Sequence, residues 1–201
     1  YYAKGKEMKV IKQYPVCQSI GFFYSSVSDF LKLGKYGEGK LMGLAAYGKA
    51  QYGFPVKLTD NGYIFTHLRN DNNAADLWAR WYKEYFKILK RQPDIDFQEN
   101  YMGIYQSLIK YTKEEKDFAA SAQKTLEDIM VHLAQNVISK TGCGRLIVAG
   151  GVGLNCSVNS VLQKQKFVDE LFVLPATNDA GTAIGAALYT AMEHGEDILQ
   201  N

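Results

Sequence analysis

Cysteine is scarce in this sequence. Cys17, Cys143 and Cys156 are the three present, an odd number, and no Cys-x-x-Cys occurs. That excludes a disulfide framework and a paired-cysteine zinc site, and leaves reduced thiols in a cytoplasmic protein as the expectation. Histidine is equally sparse. His67, His132 and His194 lie far apart, so no two of them form a helical metal-binding pair. Charge of one sign is missing too: 23 Lys and Arg stand against 21 Asp and Glu, a formal net charge of +2. Without a basic block, neither a nucleic-acid partner nor an anionic membrane is expected. Long apolar runs are absent. The longest apolar-rich stretch, Ala183 to Met192, is far too short to span a bilayer. Lys4, Lys6, Lys9 and Lys12 are never followed by the unbroken apolar run of a signal peptide.

What is present is ordinary for a folded chain. Apolar residues make up 47% and charged residues 22% of 201 positions, enough for one domain or one large lobe of a split domain. The chain begins with Tyr1 on no clear structural element, and the expectation is a piece of a longer polypeptide. Gln18 to Leu33 has near-helical apolar spacing, with Ser19 as a cap and Gly34 as a stop. A glycine-rich joint leads to a short helix over Leu41 to Tyr47, closed by Gly48. Val56 to Thr66 reads as a hairpin turning at Asp60-Asn61-Gly62. Ala74 to Lys90 reads as an aromatic-rich helix with Pro93 just beyond it. Thr112 to Lys140 carries the longest helical stripe, with a Thr112–Glu115 capping box and Gly142 as its end. From Arg145 onward the pattern becomes strand, glycine turn, helix, strand, helix, which predicts buried strands in a parallel crossover.

Three stretches carry chemistry. In L-I-V-A-G-G-V-G-L-N-C, Leu146 to Cys156, a strand enters a glycine turn and a helix begins. Glycines let a ligand approach the backbone, and a helix start offers N–H groups to an anion. No Gly-Lys-Ser/Thr follows, so this is no P-loop. Cys156 occupies the third glycine position of a dinucleotide fingerprint, and the second strand closes on Pro175 rather than on an acid, so that reading fails as well. A plain strand–helix turn remains the simpler alternative, with Cys156 as a buried small residue. In L-P-A-T-N-D-A-G-T-A-I-G-A-A-L, Leu174 to Leu188, Asp179 follows a strand and opens a helix. It can be a ligand at the strand ends, or Asn178 or Asp179 can be an N-cap. In G-E-G-K-L-M-G-L-A-A-Y-G-K, Gly37 to Lys49, Lys40 at a helix start is unusual and points to a nearby anion, unless Glu38 pairs with it. His132 on the long helix reads as structural.

Taken in order, S-I-G-F-F-Y-S-S-V, G-E-G-K-L-M-G-L-A-A-Y-G, D-F-A-A-S-A-Q-K, A-G-G-V-G-L-N-C-S-V-N and D-A-G-T-A-I-G-A-A resemble the motifs of the O-carbamoyltransferases of nodulation-factor and antibiotic tailoring. The resemblance implies an α/β, actin/hexokinase-like (ribonuclease H-like) lobe with a helical insertion, residues 1–201 being part of one carbamoyl-transfer domain. It implies that carbamoyl phosphate and ATP give carbamoyl-adenylate, whose carbamoyl group passes to a hydroxyl of a small-molecule acceptor. Gly150, Gly151, Gly153 and Asn155 would cradle the nucleotide with Lys40, and Asp179 would hold a divalent metal, iron among the candidates. The family's paired metal-binding histidines and its adenylate-forming domain would come from other parts of the same polypeptide, so this piece would be inactive alone. Acceptor contacts are expected around Asp71 to Tyr101 or elsewhere. A sugar or acyl kinase of the same superfamily and a non-catalytic nucleotide-binding module are the competing readings.

Overall fold

In the computed structural model, which describes residues 1–5, 7–91 and 110–196, the chain starts on a hairpin that its composition does not announce. Strands β1 (Tyr2–Lys4) and β2 (Glu7–Lys9) pair antiparallel from Tyr2 with Lys9 to Lys4 with Glu7. Almost all of their residues are exposed, so no alternation of apolar and polar positions marks them. The described residues fall into two compact units, Tyr1–Cys143 and the part from Gly144 onward.

The first unit is mostly helical. Helix α1 (Ile20–Phe30) is capped by Ser19, whose hydroxyl accepts from the Phe22 N–H. Helix α2 (Glu38–Ala45) starts earlier than its apolar residues alone predict, because Glu38 can occupy the first turn. Strands β3 (Val56–Thr59) and β4 (Gly62–Phe65) form the expected hairpin around Asp60-Asn61. Helix α3 (Leu77–Ile88) falls inside the predicted span; Pro93 lies outside the described residues. Helix α4 (Lys113–Thr141) has both halves of its capping box, Thr112 and Glu115, and ends on Gly142 at φ 67°, the left-handed cap that suits glycine.

Aromatic rings fill the space between these elements. Phe23 touches Phe54, Phe65 and Trp81, and Phe30 meets Tyr85 and Phe118. Buried polar groups are paired across the core: Tyr24 Oη donates to Gln123 Oε1 at 2.6 Å, and the Ser26 and Tyr85 hydroxyls lie 2.6 Å apart. Gln18 accepts from the Phe65 N–H at 2.7 Å, which fastens the α1 entry to the hairpin. His132 is structural as expected, its Nε2 2.7 Å from the Thr59 carbonyl.

The second unit contains β5 (Arg145–Val148), a 3-10 turn at Gly151–Leu154, α5 (Cys156–Gln163), β6 (Glu170–Val173) and α6 (Gly181–Glu193). The two strands are parallel, in register from Arg145 with Glu170 to Val148 with Val173. Val158 and Leu162 of α5 are fully buried. Here the expectation of buried strands needs correction. Ile147 is 70% and Phe172 51% exposed, side by side in register, and α6 buries no residue. Parallel strands carry apolar residues on both faces because both are normally covered, and among the described residues only one face is.

Candidate functional site

The end of β5 and the end of β6 are tied together by one threonine. Gly150 donates its N–H to the Thr177 carbonyl at 2.7 Å, and the Thr177 hydroxyl donates to the Gly150 carbonyl at 3.1 Å. Thr177 is buried, and the two loops meet at the carboxyl ends of parallel strands, the position where α/β sheets place ligands. Gly150 has φ 91°, a backbone state that favours glycine.

The four turn residues divide into two roles. A Cβ built at Gly150 or Gly151 meets nothing within 4 Å, so the backbone there faces open space. A Cβ at Gly153 would lie 2.5 Å from Thr177 Oγ1, so this glycine is needed for the closure itself. Asn155 is buried and caps α5, its Oδ1 accepting from the Val158 N–H at 3.0 Å. The open part of the cradle is therefore Gly150-Gly151, while Gly153 and Asn155 hold its shape. Two contributors were not singled out from the motifs that contain them. Thr177 is one. Asn159 is the other: it donates to the Gly153 carbonyl at 2.8 Å, and its buried Oδ1 has no partner among the described residues. Their polar side chains within apolar, glycine-rich motifs were the available signal.

Asp179 lies two residues beyond Thr177, at the same end of the sheet, and is exposed. Neither cap reading survives. The N-cap of α6 is Ala180, without a side-chain bond. Asn178 instead makes a local turn, its Oδ1 accepting from the Ala180 N–H at 3.1 Å. Asp179 uses its carbonyl, which accepts from the Thr182 hydroxyl at 2.6 Å, and its carboxylate has no hydrogen-bond or ion-pair partner among the described residues. A divalent metal needs several such donors, and no group of three His, Cys, Asp or Glu gathers among the described residues. The described residues therefore do not make a metal site by themselves. Cys156 is exposed, contrary to the buried placement expected, since the first residue of α5 stands clear of the face that Val158 and Leu162 bury.

The Gly37 to Lys49 stretch belongs to the first unit. Lys40 donates to the Leu33 carbonyl at 3.2 Å, and Glu38 accepts from the Ser25 hydroxyl at 2.5 Å. The far end of the stretch is a clasp on α4. Asp117 accepts from the Lys49 N–H at 2.7 Å and from Gln51 Nε2 at 2.9 Å, and Lys113 pairs with it. The Lys113 ammonium, followed by the Lys49 N–H, holds the Asp117 carboxyl below the usual carboxylate range. Ser121 Oγ receives the Gln51 and Tyr52 N–H groups at 2.9 and 3.0 Å. Gly48 is not a left-handed helix cap. A Cβ there would sit 2.0 Å from the Lys116 carbonyl oxygen, so its role is close approach to α4.

Gly153→Ala is expected to part the two loops and lower stability in urea unfolding by about 1–3 kcal/mol, the scale of overpacking a filled site. Adding Thr177→Ala to that variant removes the collision and should recover part of the loss, a coupling that a double-mutant cycle measures. Additive losses would show that Gly153 and Thr177 act independently.

Residues 1–188 match the family described as carbamoyltransferase N-terminus. The chain is 31% identical over 192 residues to nodulation protein NolNO of Sinorhizobium fredii, covering 96% of this chain and 26% of that protein. It is 31% identical over 199 residues to nodulation protein NolO of Bradyrhizobium diazoefficiens, covering 95% and 32%. Nodulation protein U of the same bacterium is 34% identical over 131 residues, covering 62% and 22%. The chain thus spans a third or less of these relatives. Matched over residues 1–188 of 201, with the glycine turn and the Thr177 loop inside the match, the chain belongs to the carbamoyltransferase family.

Proposed function

We propose that this chain is part of the transfer domain of an O-carbamoyltransferase, an actin/hexokinase-like lobe that receives carbamoyl-adenylate and passes its carbamoyl group to a hydroxyl of a small molecule. The observation that carries the reading is the joined end of β5 and β6, where Gly150 and Gly151 leave the backbone open beside the loop of Asp179. The acceptor oxygen attacks the carbamoyl carbon, the bond from that carbon to the adenylate phosphate oxygen breaks, and the acceptor proton is released to solvent. Because adenylate is a good leaving group, the demand on the protein is orientation and charge stabilisation. The glycine turn and the start of α5 suit the phosphate. Asp179 would be one donor to a divalent metal completed by residues outside those described; such an ion would polarise the carbonyl or the acceptor hydroxyl. Lys40, in the first unit, is proposed to meet an anion near the start of α2. No observation in the chain favours the kinase reading over this one.

Among the described residues no helix is long and apolar enough to cross a membrane. We read the protein as cytoplasmic, with carbamoyl phosphate and ATP as co-substrates. Part of the acceptor stretch, from residue 92 onward, lies outside the described residues. The test is incubation of the longer polypeptide containing this chain with carbamoyl phosphate, ATP and a panel of hydroxyl acceptors, followed by mass spectrometry. An O-carbamoyl product with AMP, pyrophosphate and orthophosphate is expected. ADP and a phosphorylated acceptor would instead establish a kinase.

A further inference from the structure

One corner of the first unit gathers cations beside an unpartnered histidine. A cavity of about 320 Å³ is lined by His67 and Arg69, from the segment after β4, and by Arg80, Lys83 and Glu84 of α3. Positions 80, 83 and 84 share one face of the helix through their i+3 and i+4 spacing. Glu84 is taken by Lys87 at 2.6 Å, and Arg80 is steadied by Asp76 at 2.6 Å. Arg69 and Lys83 have no carboxylate partner among the described residues. With Arg80 paired to Asp76 and Glu84 to Lys87, the charges of Arg69 and Lys83 leave the lining electropositive.

His67 adds an independent observation. Both of its ring nitrogens are shielded from solvent and have no hydrogen-bond partner among the described residues. The ring stands edge-on to Trp81, 4.3 Å between centroids. Burial pushes its pKa down to about 4; Glu84 opposes the shift, and Lys87 and Arg80 add to it. The neutral imidazole therefore carries one donor and one acceptor, neither of them satisfied among the described residues. Buried polar groups left without partners are uncommon in folded proteins and mark places to look for a use.

We propose that this cavity binds a phosphate group, either free phosphate or a small phosphate ester. Arg69 and Lys83 supply charge and donors, Arg80 is held in place by Asp76, and the His67 ring lines the wall beside the bound charge. A bound oxyanion also places negative charge beside the imidazole and so favours its protonated form. Its residues belong to the first unit, whereas the glycine turn and Asp179 that carry the carbamoyl-transfer reading belong to the second.

The test is the NMR titration of the His67 ring proton in the chain, with inorganic phosphate or glycerol 3-phosphate added at constant ionic strength. A saturable His67 shift and a rise in its titration midpoint are expected. Arg69→Gln with Lys83→Gln, both exposed positions, should weaken the apparent affinity by about tenfold or more and leave the other resonances in place. A stronger response to glycerol 3-phosphate assigns the ester, and an equal response assigns the ion. No His67 shift, a shift that chloride reproduces, or binding that survives the double substitution would overturn the proposal.

Discussion

Asp179→Ala, made in the longer polypeptide that carries this chain, is expected to reduce carbamoyl transfer by about 10²-fold or more while leaving the fold unchanged. The two halves of that expectation have separate grounds. The fold is spared because the Asp179 side chain is exposed and supports nothing: the helix-start contacts come from its own carbonyl, which alanine retains, and from Asn178. Activity is expected to suffer because this carboxylate, without a partner among the described residues and placed at the joined end of two parallel strands, is free to hold a charged ligand. Removing one charge-stabilising group from such a site typically costs two to three orders of magnitude. Turnover should be measured together with the thermal midpoint and the circular dichroism spectrum. Retained turnover with an unchanged spectrum would make the carboxylate a bystander. Lost turnover with a lowered midpoint would show instead that Asp179 supports the structure.

How much of this was readable beforehand depended on whether the cause was local. The capping box of Thr112 and Glu115, the cap at Ser19 and the turn at Asp60-Asn61 are set by residues within a few positions, and all appear where spacing puts them. The glycine turn after β5 was readable for the same reason. Gly48 was misread as a helix cap because its actual constraint, the Lys116 carbonyl, lies far along the chain. Thr177 and Asn159 went unnoticed as supports because a polar side chain in a motif does not reveal which carbonyl it will meet. The first hairpin was missed because a strand pair exposed on all sides lacks the periodicity that betrays a buried one. Ile147 and Phe172 misled in the opposite sense: their apolar character predicts cover on a face that the described residues leave open.

Phe118→Ala is expected to destabilise the first unit by about 3–5 kcal/mol, the usual range for emptying a buried aromatic site. The ring is fully buried, and its centroid lies 5.7 Å from Phe30 of α1, 5.3 Å from Tyr85 of α3, and 5.1 Å from Phe54 in the segment before β3. Truncation therefore removes contacts to three elements at once. Collapse into the space is resisted because the neighbouring rings are packed against one another, as Phe54 is against Tyr85 at 5.9 Å. A loss of this size is a large part of the roughly 5–15 kcal/mol that holds a domain folded. Phe118 also follows Asp117, the residue that receives the Lys49 N–H, so the end of the Gly37 to Lys49 stretch is fastened to α4 one residue before this ring. Asp117 and Ser121 thus fix the backbone at residues 49–52 over a core that Phe118 fills. Urea unfolding decides the point: the midpoint should fall with the slope unchanged. A loss below about 1 kcal/mol would mean that the core closes around the missing ring, and the stretch would need another explanation.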